Sequence, residues 1–212
     1  MKIAVFAQEN IKYEIFHKPA GKDVSIVYVN ALEDFAEISD ADAYFDLEFE
    51  NDDKRINGLA AFLPKPIFVN AVVNTLKQIG QPFVRINAWP GFLEREICEV
   101  VVLNETYKEY VANIFARLNW QFLYVPDISG MITARIIAMV INEAYFTLQD
   151  AVSSKEEIDT AMKLGTNYPY GPFEWTEKIG IKRVHDLISE LAKTDIRYNI
   201  SKALENEVFL KK

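Results

Sequence analysis

Seven short runs rich in β-branched and aromatic residues punctuate the first 126 positions: "KIAVFA", "SIVYVN", "ADAYFDLEF", "PIFVN", "FVRINA", "EICEVVV" and "QFLYVP". Most follow a polar, Pro or Gly break, the pattern of short strands ending at turns. Between them "IKYEIFHK", "DDKRINGLAAFL", "VVNTLKQIG" and "ETYKEYVANIFARLN" carry apolar residues three and four apart, the period of a half-buried helix. Strand alternating with helix predicts an open α/β sheet. After Ser129 and Gly130 the strand pattern stops. The run "MITARIIAMVINEAYFTLQDAV" is apolar on nearly every face, as suits a helix buried in a bundle or at a subunit interface. The chain therefore reads as an α/β half followed by an all-α half.

With 212 residues, half of them hydrophobic, such a chain can bury a core in each half. The longest apolar stretch, 131–148, is broken by Arg135, Asn142 and Glu143, and Met1 leads straight into a strand, so neither a membrane span nor an export signal is expected. The cytoplasm is the expected compartment. A single cysteine, Cys98, permits no internal disulfide, and His17 and His185 stand too far apart for metal-ligand spacing. A formal net charge of −8 argues against general affinity for nucleic acid, which needs clustered Lys and Arg.

Turn and cap residues organise the second half. Ser153 with Glu156, or Ser154 with Glu157, has capping-box spacing, and Gly165 is placed to end the helix that follows. Pro172 suits the first turn of another helix, with Gly180 at its end. "KRVHDLISELAK" supplies a third helical unit. The segment "AMKLGTNYPYGPFEW", 161–175, sets glycines and prolines among aromatics, the composition of a rigid turn.

Taken with its neighbours, that segment resembles the C-terminal domain of the 3-hydroxyacyl-CoA dehydrogenase family. The residues that carry the likeness are Asn142-Glu143-Ala144, Asp159 to Gly165 and Tyr168 to Phe173, which match the family's Glu-Ala pair and its "DxAMxxGxxxPxGPF" layout over some fifty positions. The resemblance implies a shortened Rossmann-like parallel-sheet domain over 1–128 and a helical dimerisation domain over 129–212. It also implies a homodimer built through the helical half, an acyl-CoA-like small-molecule ligand in an interdomain cleft, and NAD as the family's cofactor. "YPYGPF" is expected to be the fixed turn that angles one helix against the next.

The first half departs from that family at its functional positions except Glu99. After the opening strand a dinucleotide site needs glycines, so that backbone can approach the pyrophosphate at a helix N-terminus. Here the loop reads Gln8-Glu9-Asn10-Ile11, and no glycine occurs from residue 1 to 20. The family's acidic ribose contact falls on Asn30, and the stretch between Asn30 and Asp40 is short by a strand-helix portion. Alignment of "FVRINAWPGFLEREICEVVV" puts Asn87 where the family has its general-base histidine and Glu99 where it has the glutamate that orients that imidazole. A family serine falls on Val72, beside Asn70, and a family asparagine on Ala134. Glu99 remains open between two placements: solvent-facing on a sheet, or buried with Asn87 and needing a cation, for which Arg85, Arg95 and Arg135 are candidates. Trp89 and Phe92 are expected in the core or in a cleft wall.

Loss of a positioned base costs typically about 10²–10⁴ in rate, and loss of a polarising hydrogen bond about 10²–10³. The expectation is therefore a family relative without hydride transfer and without a tightly bound cofactor, having a binding or regulatory role. Glu99 is its candidate catalytic group, Asn87, Asn70 and Arg135 its candidate substrate contacts, and Asn30 its remnant cofactor contact. Two other readings stand beside it: an active NAD-dependent dehydrogenase with an atypical site, and a structural dimerisation protein.

Overall fold

The computed structural model describes residues 1–210. The chain divides into two compact units, 1–131 and 132 onward. The first unit holds all seven strands: β1 (Lys2–Phe6), β2 (Ser25–Val29), β3 (Ala43–Asp46), β4 (Ile67–Val69), β5 (Val84–Ile86), β6 (Ile97–Val101) and β7 (Gln121–Tyr124). They form one sheet in the order β2-β1-β3-β4-β5-β6-β7. Every neighbouring pair is parallel except β5 with β6, which run antiparallel. Both faces of the central strands are covered, which is why they read as continuous apolar runs. Ile3, Val5, Phe45, Phe68 and Ile86 join one core with Ile11, Phe115 and Leu118, while Ala4, Tyr44, Ile67 and Val69 join another with Phe35, Leu59 and Leu76.

Four helices connect the strands: α1 (Glu9–Phe16), α2 (Asp53–Ala60), α3 (Leu76–Ile79) and α4 (Glu105–Leu118). Asp52 caps α2, Thr75 and Gln78 form a capping box on α3, and Asn104 caps α4. The connection from β2 to β3 is only a 3₁₀ turn, Glu33–Ile38. Strand β2 forms the edge of the sheet.

The second unit is helical throughout: α5 (Thr133–Gln149), α6 (Lys155–Thr166), α7 (Pro172–Ile179), α8 (Ile181–Ala192), a 3₁₀ turn Ile196–Tyr198, and α9 (Lys202–Leu210). Within this unit α5 packs on α7, α8 and α9. Its buried positions Ala134, Ala138, Ile141, Asn142, Ala144 and Tyr145 follow helical spacing. Within the single chain Ile132 and Ile136 are 41% and 52% exposed, and Glu143 also faces outward. Buried Asn142 donates its amide to Asn199 O at 2.8 Å and accepts from Ser201 N at 3.0 Å, which ties the start of α9 to the middle of α5.

Ser154 and Glu157 make the expected capping box on α6. The end of that helix differs from expectation. Gly165 lies inside α6, and the left-handed residue that closes it is Asn167, at φ 55°. Asparagine tolerates that conformation better than other residues with a Cβ.

The turn at 167–172 has one physical cause. Asp159, on α6 and 8% exposed, accepts Phe173 N at 2.8 Å and Glu174 N at 3.1 Å, so it caps α7 from a neighbouring helix. A Cβ on residue 171 would lie 2.3 Å from Asp159 Oδ1, so only glycine leaves room for the carboxylate. Pro172 takes the first helical position, where a missing N–H costs nothing. Glu174 reaches back to Gly171 N at 2.9 Å and pairs with Lys163. The glycine and proline of "YPYGPF" thus serve a cap.

Candidate functional site

The chain reversal between β5 and β6 creates the arrangement expected of Asn87 and Glu99. Arg85 lies opposite Val101 and Ile86 opposite Val100, so the next pair outward is Asn87 with Glu99. Asn87 N donates to Glu99 O at 3.3 Å, and Asn87 Nδ2 donates to Glu99 Oε2 at 3.4 Å. Both side chains are buried, at 2% and 6% exposure, which settles the open placement of Glu99 against the solvent-facing one. The amide oxygen of Asn87 is engaged as well, accepting Trp89 N at 3.4 Å. An amide oxygen has negligible basicity near neutrality, and an amide NH₂ only donates. Asn87 can take part in hydrogen bonds but cannot accept a proton as imidazole does; the one basic group of the pair is the Glu99 carboxylate.

Arg85 does not serve Glu99. Its guanidinium, fully buried, donates to Ala71 O at 2.7 Å and Val72 O at 3.2 Å and is ion-paired with Asp127. Asp127 in turn accepts Leu76 N at 3.0 Å and Lys77 N at 3.2 Å at the start of α3. Burial lowers the pKa of Arg85, and Asp127 pulls it back up. This network joins β5, the 71–72 segment and the 127–128 segment, and composition gave no sign of it.

Asn70, at the end of β4, is committed to backbone. Its Nδ2 donates to Leu47 O and Ala88 O, each at 3.1 Å, while Oδ1 accepts Ala88 N at 3.0 Å. Asn70 therefore clasps the ends of β3, β4 and β5. Val72 and Ala134, where the family resemblance implies polar side chains, are buried at 2% and 0%.

Arg135 lies in the helical unit, where Nη1 donates to Tyr198 Oη at 3.2 Å and the guanidinium sits 5.6 Å from that ring's centre. Trp89 and Phe92, both 3% exposed, pack edge to face. Their loop is held by Glu14 of α1, a buried carboxylate that accepts Gly91 N at 2.6 Å and Leu93 N at 3.1 Å. Glu14 was not visible from sequence, because its partners lie some 77 positions away.

At the carboxyl ends of β1–β3, where open α/β sheets bind ligands, the local chemistry is acidic. Helix α1 starts at Glu9 with Gln8 as its N-cap, and Gln8 makes no side-chain cap. Instead Gln8 N donates to Glu48 Oε1 at 3.1 Å. A carboxylate thus takes a backbone donor at the very helix end where a pyrophosphate would need one. Asp46, the last residue of β3, has no exposed surface and pairs with Arg55 of α2 through both oxygens. Burial pushes the Asp46 pKa up, against the pull of Arg55. Asn30 follows β2, exposed, and borders the groove that Arg55 also lines. Among the described residues no group of three or more His, Cys, Asp and Glu side chains could hold a metal ion, and no helix is long and apolar enough to cross a membrane.

Residues 130–211 match the 3-hydroxyacyl-CoA dehydrogenase C-terminal domain family. The chain is similar to the 3-hydroxyadipyl-CoA dehydrogenase of Escherichia coli, 48% identical over 69 residues, which are 32% of this chain and 14% of that protein. It is also similar to the 3-hydroxybutyryl-CoA dehydrogenase of Bradyrhizobium diazoefficiens, 42% identical over 77 residues, 36% of this chain and 25% of that protein. The matched segments thus span a quarter or less of these relatives. Among solved structures, (S)-3-hydroxybutyryl-CoA dehydrogenase from Ralstonia eutropha superposes with a TM-score of 0.75 at 18% identity, covering 99% of this chain and 94% of that one. That likeness extends the shared fold to the first unit.

Proposed function

We propose, for a chain that belongs to the 3-hydroxyacyl-CoA dehydrogenase family through its residues 130–211, that hydride transfer has been given up and a binding role kept. The observation that carries this reading is the Asn87–Glu99 pair. The orienting carboxylate remains, buried and in hydrogen-bond reach, while the group it faces is an amide. With no base at that position, removing the proton of a 3-hydroxyl loses about 10²–10⁴ in rate on that account alone. NAD fits the residues present poorly: Glu48 covers a donor at the N-terminus of α1, Gln8, Glu9 and Asn10 stand in place of glycines, and Asn30 replaces a carboxylate. When bound, that cofactor would supply or accept the hydride.

The chain's own residues support ligand holding. Glu99 fixes the Asn87 amide, Asn70 clasps the adjoining strand ends, and Glu14 shapes the Trp89–Phe92 loop. An acyl-CoA-like molecule is the ligand class the family suggests. Two copies joined through the exposed Ile132–Ile136 edge of α5 form the proposed assembly, since such a row is costly to leave in water. A thermal-shift panel with NAD(H), NADP(H), free CoA and acyl-CoA tests the reading. Stabilisation by acyl-CoA and none by NAD(H) is expected, and micromolar NADH binding by calorimetry would overturn it.

A further inference from the structure

The groove at the carboxyl ends of β1–β3 has about 750 Å³ of space, within the range of small-molecule sites. Its walls are apolar, made by Phe6, Leu32 and Phe62, and the Arg55 guanidinium stacks 5.0 Å from the Phe6 ring centre. Gly58 belongs to the same wall, in the interior of α2, where glycine is less favourable than alanine. A Cβ there would only touch Leu32 Cδ2 at 3.4 Å, so an alanine fits, and the glycine keeps the groove wider than the helix requires.

The rim sets the charge of what can enter. Arg55 is spent on buried Asp46, so that pair is neutral as a unit. Glu33, Glu50 and Asp52 remain at the mouth, with Lys54 opposing them, a balance of −2. Asp52 uses one oxygen on Arg55 N at the start of α2, which leaves its charge in place. Glu48, two residues after β3, accepts Gln8 N at the N-terminus of α1. An anionic ligand would meet repulsion at the mouth and a carboxylate at the helix end.

We infer that this groove, placed where a relative's dinucleotide would be expected, takes a flat organic cation in place of an anionic nucleotide. A planar ring lies between Phe6, Phe62 and the stacked guanidinium, its ammonium toward Glu50 and Glu33, with the exposed Asn30 amide at the entrance. The inference concerns a site apart from Asn87 and Glu99, and its readout does not depend on hydride transfer or on NADH.

Tryptamine and indole-3-acetate carry the same ring with opposite charge, and ligand-observed NMR titration compares them. For a dozen heavy atoms in such a groove, tryptamine is expected to bind at about millimolar concentration. Two net charges at ~6–8 Å in near-aqueous surroundings favour it over indole-3-acetate about tenfold or more at low salt. Gly58→Leu improves helix propensity and fills the groove, so it should abolish tryptamine binding with the melting temperature retained. Glu50→Lys, at an exposed rim position, leaves the wall intact and should remove the preference for the cation. Equal or tighter binding of indole-3-acetate by the unaltered protein overturns the inference. So does tryptamine binding that survives Gly58→Leu in a folded variant, or a cation preference unchanged by Glu50→Lys.

Discussion

Replacing Gly171 by alanine tests how the helical unit is held together. An added Cβ would lie 2.3 Å from Oδ1, 2.4 Å from Cγ and 2.4 Å from Cβ of Asp159, so the carboxylate must leave its place. Its two bonds, to Phe173 N and Glu174 N, are then lost, and α7 loses its cap. Loss of a cap alone costs about 0.5–2 kcal/mol, and hydrogen bonds to a charged group about 1.5–3 kcal/mol each before compensation by water. The expected net loss is about 2–4 kcal/mol in urea unfolding of the helical signal, or a fall of about 10–30 °C in melting temperature for a unit of this size. A double-mutant cycle separates clash from cap. Asp159→Ala keeps the Cβ at 2.4 Å, so Gly171→Ala should remain costly in that background. Asp159→Gly removes it, and there Gly171→Ala should cost less than about 0.5 kcal/mol. A cost within about 0.5 kcal/mol of wild type for Gly171→Ala alone would refute the reasoning.

Three further outcomes follow from the same geometry. Arg85→Met strands Asp127 and the carbonyls of Ala71 and Val72, and should cost about 3–5 kcal/mol by urea titration; a change under 1 kcal/mol would remove the network from the account. The Cys98 thiol is pushed up to about 12 by burial, with Lys18 pulling it back in part. A raised thiol pKa means that thiolate is scarce below it, roughly one part in 10⁴ at pH 8, so iodoacetamide should label the folded protein only after denaturant is added, and labelling at the rate of a free thiol would contradict this. Sedimentation at micromolar concentration should show a dimer that Ile136→Arg converts to a monomer, and a monomeric wild type would refute the assembly.

The sheet was legible because burial on both faces writes the central strands as apolar runs, and each of the seven runs became a strand. The antiparallel turn of β6 was not, since a run of residues carries no direction. Helix ends were legible where a local pair makes them, as at Ser154 with Glu157, and misplaced where a residue with a Cβ adopts a left-handed conformation, as at Asn167. Helix α9 was missed although Leu204 and Val208 are four apart and Ser201 stands before them, its Oγ accepting Ala203 N at 3.2 Å. At the site, the family alignment put Asn87 and Glu99 in partner positions and left Glu99 open between solvent and core, and the pairing of β5 with β6 across one turn brings them together. The clasp of Asn70, the Arg85–Asp127 pair and the Glu14 hold on Gly91 all join positions 13 or more apart, which no local pattern records.

The central claim is that the Asn87–Glu99 pair binds without transferring hydride. It is tested most directly by incubating the purified protein with 3-hydroxybutyryl-CoA and NAD and following NADH absorbance, with Asn87→His run in parallel. No NADH above the uncatalysed background is predicted for either, because Val72, Ala134 and the Glu48-covered helix end are unchanged by that substitution. Steady NADH production by the unmodified protein, at turnover within about a hundredfold of a typical enzyme's 1–10³ s⁻¹, would contradict the account.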